Sequence, residues 1–205
     1  MIRLNLWDGG TVPPSHCPMG AADRRYVPVS FVPVSFPRVF VPEERELMME
    51  KVNYPLMCNQ AREMLREEPW YASALSNLSA LLFETLPDLN WAGFYLLRDG
   101  CLTVGPFQGK PACIHIPVGK GVCGTALERN ETILVPDVHA FPGHIACDSA
   151  SRSEIVVPLR SDGRPVAVLD LDSPRPGRFS TADAIGLKHF AKIIEEAICW
   201  PGKQT

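Results

Sequence analysis

Apolar residues between Glu44 and Leu86 recur at spacings of three and four, most regularly as Leu75, Leu78, Leu82 and Leu86. That period predicts helix, with Ala72–Leu86 its strongest part, Pro69 suiting a helix start and Pro87 an end. Beyond Pro87 the period changes to two. Trp91–Leu97 and Cys101–Val104 read as a hairpin around Arg98-Asp99-Gly100, a turn sequence between apolar runs. Phe107–Lys110 reads as a loop and Ala112–Ile116 as a short strand. A glycine-led short helix follows over Gly119–Asn130, then a strand over Thr132–Val135. A second hairpin pairs Glu154–Leu159 with Pro165–Ser173 through Ser161-Asp162-Gly163. The closing helix, about Thr181–Cys199, has Ser180 and Asp183 as a capping pair and Ile185, Phe190, Ile193, Ile194 and Ala197 as its apolar face. Helices, then hairpins, then a helix make the fold class α+β with an antiparallel sheet.

One segment fits neither period. Asp137–Glu154 carries His139, His144, Cys147, Asp148 and Glu154, and Pro142 and Gly143 interrupt it. A long aperiodic loop inside a compact domain is usually disordered or functional. This one is read as the active loop, with Cys147 at its chemical centre. Period two also places Val166, Val168, Asp170 and Asp172 on one face of the last strand, the two carboxylates about 7 Å apart by strand rise. They stand either on a solvated outer face or over a pocket. Trp91, Gly93 and Tyr95 share a face of the first strand, where the glycine opens a gap between two rings, for core packing or for a ligand. If the two strands are neighbours, gap and carboxylates bound one small pocket.

Composition narrows the classes. With 46% apolar and 21% charged residues, the 205-residue chain has material for a core, and its net charge of -3 carries no footprint for nucleic acid. No apolar run of about 18 residues is present, so no membrane span is expected. The first residues lack the apolar stretch of a secretory signal, which points to a reducing, cytoplasmic setting. Residues 1–47 differ from the rest, with seven prolines between Pro13 and Pro42 and the tandem echo Pro-Val-Ser-Phe-Val-Pro-Val-Ser-Phe. They are expected to form a disordered, Pro-rich extension, or to be untranslated if synthesis starts near Met48 or Met49. The folded domain is expected over 48–205. Seven cysteines, an odd count without any C-x-x-C, argue against a disulfide framework and against paired-cysteine zinc sites. A metal site from His139, His144, Cys147 and Cys113 is a second possibility, although zinc sites usually show tighter paired spacing. The glycines of Gly119–Gly124 match neither phosphate-binding pattern.

From about Met49 to Trp200 the chain resembles the free methionine-(R)-sulfoxide reductases, which are GAF-domain enzymes. The resemblance rests on Leu89-Asn90-Trp91-Ala92-Gly93-Phe94-Tyr95, Gly105-Pro106-Phe107-Gln108-Gly109-Lys110 with Ala112-Cys113, Gly119-Lys120-Gly121-Val122-Cys123-Gly124-Thr125-Ala126, Gly143-His144-Ile145-Ala146-Cys147-Asp148, Ser153-Glu154-Ile155-Val156 and Leu169-Asp170-Leu171-Asp172-Ser173. It implies a GAF-like antiparallel sheet of about six strands flanked by helices, commonly in a homodimer. It also implies action on the free amino acid rather than on protein-bound methionine sulfoxide. By the same resemblance Cys147 is the catalytic cysteine, Cys113 the resolving one and Cys123 an auxiliary third. Trp91 and Tyr95 match pocket aromatics, and Glu154, Asp170 and Asp172 match acids that bind and orient substrate. Cys17, Cys58, Cys101 and Cys199 have no counterpart in the pattern and are read as bystanders.

The chemistry can be argued from these parts. A sulfoxide sulfur is a poor electrophile until its oxygen receives a proton, so a reductase needs a thiolate and an acid. Cys147 supplies the thiolate. A carboxyl crowded by another stays protonated at neutral pH, which makes Glu154 with Asp172 the proton donor pair and leaves Asp170 for the substrate ammonium. The sulfenic acid formed on Cys147 condenses with Cys113, and a thioredoxin-type partner resets the disulfide. Without a dinucleotide fingerprint no cofactor is expected, and reducing equivalents arrive from that protein. The competing reading is a non-catalytic GAF sensor that binds a small molecule.

Overall fold

The structure is a computed structural model that describes residues 52–145 and 147–200. The Pro-rich extension, and with it the expected boundary at 47/48, lies outside the described residues. The expected helical region resolves into two helices, α1 (Tyr54–Glu67) and α2 (Tyr71–Thr85). Asn53 caps α1 by accepting the Leu56 N–H at 3.0 Å. The break falls at Glu68-Pro69-Trp70, because proline disfavours helix at the residue before it. Met57, Cys58, Ala61 and Leu65 form the buried stripe of α1, and Leu75, Leu78 and Leu82 that of α2.

Six strands follow in one antiparallel sheet: β1 (Trp91–Arg98), β2 (Cys101–Gly109), β3 (His115–Pro117), β4 (Ile133–Val135), β5 (Ser153–Ser161) and β6 (Arg164–Ser173). Their spatial order is β3-β2-β1-β6-β5-β4. Both predicted hairpins turn on an Asp-Gly pair with positive φ at each residue, 51° and 76° at Asp99-Gly100 and 52° and 77° at Asp162-Gly163. That is the two-residue turn whose twist matches the strands.

Two strand boundaries differ from expectation. The segment Phe107–Lys110, expected as loop, continues β2 as far as Gly109: Phe107, Gln108 and Gly109 pair with Gly93, Ala92 and Trp91. Gly105 and Pro106 fall where the β1–β2 register shifts, between the Gly93 and Tyr95 pairs. The irregularity absorbs a proline that would otherwise break the ladder. The strand expected over Ala112–Ile116 is shorter and later, His115–Pro117, which leaves Cys113 in a loop.

Helix α3 (Gly121–Arg129) ends on Asn130 in the left-handed conformation, and α4 (Thr181–Ala197) begins with the expected Ser180/Asp183 capping box. Ile185, assigned from sequence to the apolar face of α4, is 57% exposed; Gly186 and Leu187 are the buried positions of that turn. No described helix is long and apolar enough to cross a membrane.

The sheet carries a core on each face. Helices α1, α2 and α4 pack on one through Phe94, Ile155, Leu169 and Leu171. On the other, α3 covers Trp91, Tyr95, Val156 and Val168. The alternation read from β6 therefore holds: Ala167, Leu169 and Leu171 join the first core, and Val168 joins the second.

Candidate active site

Strand register assembles the site from residues far apart in the chain. In an antiparallel sheet, directly opposed residues share a face. Trp91 opposes Asp172, and Asp172 opposes Glu154, so three strands contribute one row. Gly93 opposes Asp170, which opposes Val156, and Tyr95 opposes Val168. The face is not solvated: Glu154 and Asp170 are each 5% exposed beneath α3. Trp91 and Tyr95 form an aromatic wall beside the acids, but the gap expected at Gly93 does not exist. Trp91 stacks on Tyr95 at 5.6 Å and on Phe107 at 5.2 Å. A Cβ at position 93 would lie 2.3 Å from Phe107 Cβ and 2.8 Å from Trp91 Cη2. The glycine lets three rings close together.

Helix α3 lowers Cys123 onto this floor, its buried Sγ donating to Glu154 Oε1 at 3.9 Å. One ligating atom from each of Cys123, Glu154 and Asp170 lies within 4.8 Å of the others, the one such group of three among the described residues. The metal set expected from His139, His144, Cys147 and Cys113 does not assemble. Cys113 and Cys147 are bonded to each other, and a disulfide sulfur is not the thiolate that binds metal. His139 is exposed, and His144 Nε2 lies 3.8 Å from Glu154 Oε2.

The Cys113–Cys147 disulfide, Cα to Cα 5.5 Å, ties the loop before β3 to the aperiodic segment. Both cysteines are half-buried. The loop is anchored at both ends. Asp137 caps the turn Val138–Ala140 by accepting the His139 N–H at 3.0 Å, and the Val138 N–H donates to the Arg152 carbonyl at 2.9 Å. Beside Cys147, the Asp148 carboxylate accepts from the Ala150 N–H at 3.0 Å, Asn90 Nδ2 at 3.2 Å and Lys110 Nζ at 3.3 Å. Asn90 Nδ2 also donates to Ser151 Oγ at 2.9 Å, and the Asn90 N–H donates to the Asp172 carbonyl at 3.0 Å. Sequence alone assigns no role to Asn90, Lys110, Phe107 or Ser151: the glycines and proline around Phe107 resemble a loop, and the partners of the other three come only from tertiary contact.

Electrostatics divide the cleft. Burial, reinforced by the charges of Asp170 and Asp172, pushes the Glu154 carboxyl well above its usual range. Burial and Asp170 do the same to Asp172. Burial raises Asp170 to about 7, against hydrogen bonds with Cys123 and Glu154 that favour its charged form. The Cys123 thiol is pushed up by burial and by Asp170 and Glu154. His144 is pushed down by burial and by His139. Burial therefore favours the neutral form of both partners in the His144–Glu154 contact. Of the acids lining the cleft Asp148 alone moves down, its carboxylate favoured by the Ala150 N–H and Asn90. A floor of acids that burial pushes toward their protonated forms thus lies under the Asp148 carboxylate at the rim. Between them is a narrow cleft whose lining includes Trp91, Tyr95, Cys123, Cys147, Glu154, Asp170 and Asp172. Trp91 Nε1 and Asp170 Oδ1 are buried without a hydrogen-bond partner among the described residues. Such atoms are costly unless a ligand satisfies them.

The GAF domain family matches residues 72–198. The chain is 52% identical over 135 residues to the free methionine-R-sulfoxide reductase of Escherichia coli, covering 66% of this chain and 82% of that one. The chain belongs to this family of GAF domains. It is also 47% identical to the free methionine-R-sulfoxide reductase of Saccharomyces cerevisiae, over 60% of this chain and 73% of that one. The solved structure of fRMsr of Staphylococcus aureus in complex with substrate superposes on this GAF domain with a TM-score of 0.70. It is 49% identical and covers 73% of this chain and 98% of that one. The six-stranded antiparallel sheet with helices on both faces is the GAF fold, as expected from sequence.

Proposed function

We propose that this GAF domain reduces free L-methionine (R)-S-oxide to L-methionine, with Cys147 as the nucleophile. The observation that carries the reading is the Cys113–Cys147 disulfide at the wall of a cleft whose floor is two buried acids, Glu154 and Asp170, and the half-buried Asp172. A disulfide there is the end state of such a turnover. The Cys147 thiolate attacks the sulfoxide sulfur while the Glu154–Asp172 pair delivers a proton to the oxygen. As the Cys147 Sγ–S bond forms, the S–O bond breaks and the oxygen takes a second proton and leaves as water. A water then attacks Cys147 Sγ and returns one proton, and the S–S bond breaks with its electron pair going to methionine, which leaves. Cys147, oxidised by two electrons, holds a hydroxyl as a sulfenic acid. The Cys113 thiol then displaces that oxygen as water and forms the disulfide. An acid that must donate a proton near pH 7 needs a raised pKa, and burial together with like charges provides it at Glu154 and Asp172.

The stacked rings of Trp91 and Tyr95 offer an apolar wall for the S-methyl group. Asp170, with Oδ1 unsatisfied, takes the substrate ammonium, whose charge draws off the Asp170 proton. Cys123, held as a thiol beside Glu154, is a reserve resolving group. A thioredoxin-type protein resets the half-exposed disulfide by thiol exchange. A thiol cycle of this kind suits a reducing cytoplasm, and the family resemblance extends to a homodimer. Stereochemistry follows the relatives' names, which specify the R epimer.

The decisive experiment mixes fully reduced protein with resolved epimers of free methionine sulfoxide, without recycling reductant. The expected result is about one methionine and two thiols consumed per subunit, with the R epimer only, and a linked Cys113–Cys147 peptide. No methionine from either epimer, with all thiols retained, would make the domain a binding module.

A further inference from the structure

The zwitterionic head of a free amino acid presents two charges, and the acid floor answers only one of them. The α-carboxylate needs a cationic or N–H donor, and among the described side chains lining the cleft Lys110 is the single lysine or arginine. His144, the other basic group in the lining, is held neutral by burial. We infer that Lys110 is the group that receives the substrate's α-carboxylate at the cleft mouth and thereby favours the free amino acid over its esters and peptides. This inference rests on the reading of the cleft as a methionine sulfoxide site.

The geometry supports it in three ways. First, Lys110 stands on the loop between β2 and β3 that also carries Cys113, three residues away, so its ammonium is tethered to one side of the cleft mouth. Second, Asp148 holds that ammonium from the opposite side, Nζ to Oδ2 at 3.3 Å and to Oδ1 at 3.4 Å, next to the Cys147 that attacks sulfur. Third, the pair has no strong structural duty. The Lys110 side chain is 70% exposed, and an ion pair that open contributes little to stability. Asp148 keeps the Ala150 N–H and Asn90 without it. The lysine is thus free to turn toward an incoming carboxylate at small cost. A peptide bond or an ester at that position presents a neutral carbonyl, which loses the charge-assisted contact.

The test compares Lys110→Met and Lys110→Arg with the natural protein on free methionine (R)-sulfoxide and on its methyl ester, which keeps the ammonium and sulfoxide and lacks the carboxylate. The methionine variant is expected to raise KM for the free acid on the order of tenfold, with kcat within about twofold and kcat/KM for the ester nearly unchanged. The arginine variant should recover most of the loss. A parallel fall for acid and ester, or no change for either, would overturn the assignment of Lys110 while leaving the reductase reading intact. If the natural protein reduces neither compound, the reductase reading fails and this inference with it.

Discussion

Replacing Gly93 with alanine tests how tightly the aromatic wall is built. Gly93 does not adopt positive φ, so its backbone accepts a side chain, and in open space alanine would stabilise by about 0.4–1 kcal/mol through a stiffer unfolded chain. Space decides otherwise. The new Cβ would meet Phe107 Cβ at 2.3 Å and Phe107 Cα at 2.7 Å. The second is a backbone atom, so no rotamer change relieves the clash, and β2 must move away from β1 by about an ångström to restore van der Waals contact. Overpacking of this kind costs about 1–3 kcal/mol, and loosening the Trp91–Phe107 stack adds about 0.5–1.5. The net loss is about 1–3 kcal/mol, or about 3–10 °C in Tm for a domain of this size. Circular dichroism melts of the reduced proteins measure it. Because Trp91 moves with β1, KM for methionine sulfoxide should rise in the same variant. A Tm within about 1 °C of the parent, with unchanged KM, would refute the packing argument.

Other expectations concern charge and redox chemistry. Asp170 has a folded pKa of about 7 against an ordinary value of 3.8, so the folded state holds the extra proton. The stability this lends is complete below about pH 4 and is lost as pH rises through about 7; Asp170→Asn should flatten that part of a Tm–pH curve, and an unchanged slope would count against the buried-acid reading. Asp148 and Asp183, both with lowered pKa values, act in the opposite sense and withdraw stability as the solution becomes acidic. Cys147→Ser should abolish methionine formation in a single turnover, and substantial residual activity would remove Cys147 from its role. Cys113→Ser should release about one methionine per subunit and then stall, unless peptide mapping finds Cys123 linked to Cys147. Asn90→Ala deletes bonds to both Asp148 and Ser151 and should slow disulfide formation more than it lowers Tm; the reverse ranking would make Asn90 a purely structural residue.

Much of the scaffold was legible along the chain because local chemistry specified it. Both Asp-Gly turns, the Ser180/Asp183 capping box and the alternating faces of β6 depend on residues within a few positions of one another. Cys147 stood out because a thiol among polar residues in an aperiodic loop is unusual. Period two alone put Asp170 and Asp172 on the face of β6 that Val168 shares. Errors arose where a non-local partner overrode a local signal: Phe107–Gly109 looks like loop because glycine and proline surround it, yet β1 supplies its ladder. Ile185 looks buried by period, yet no described element covers it and it is 57% exposed.

By itself, then, the order of residues determined the class of fold, the turns, and which side chains could share a face. Tertiary structure decided what those side chains are. Asp170 and Asp172 read equally as a solvated outer face until α3 and the disulfide-tied loop cover them, and only then does burial keep their protons. Gly93 read as an opening until the β1–β2 register set Phe107 against it. Lys110 is one lysine among six until its loop meets Asp148 across the cleft. The physical reason is the same in each case. Period and turn chemistry are properties of neighbours in sequence, whereas dielectric environment, charge coupling and steric closure depend on groups that only folding brings within a few ångströms.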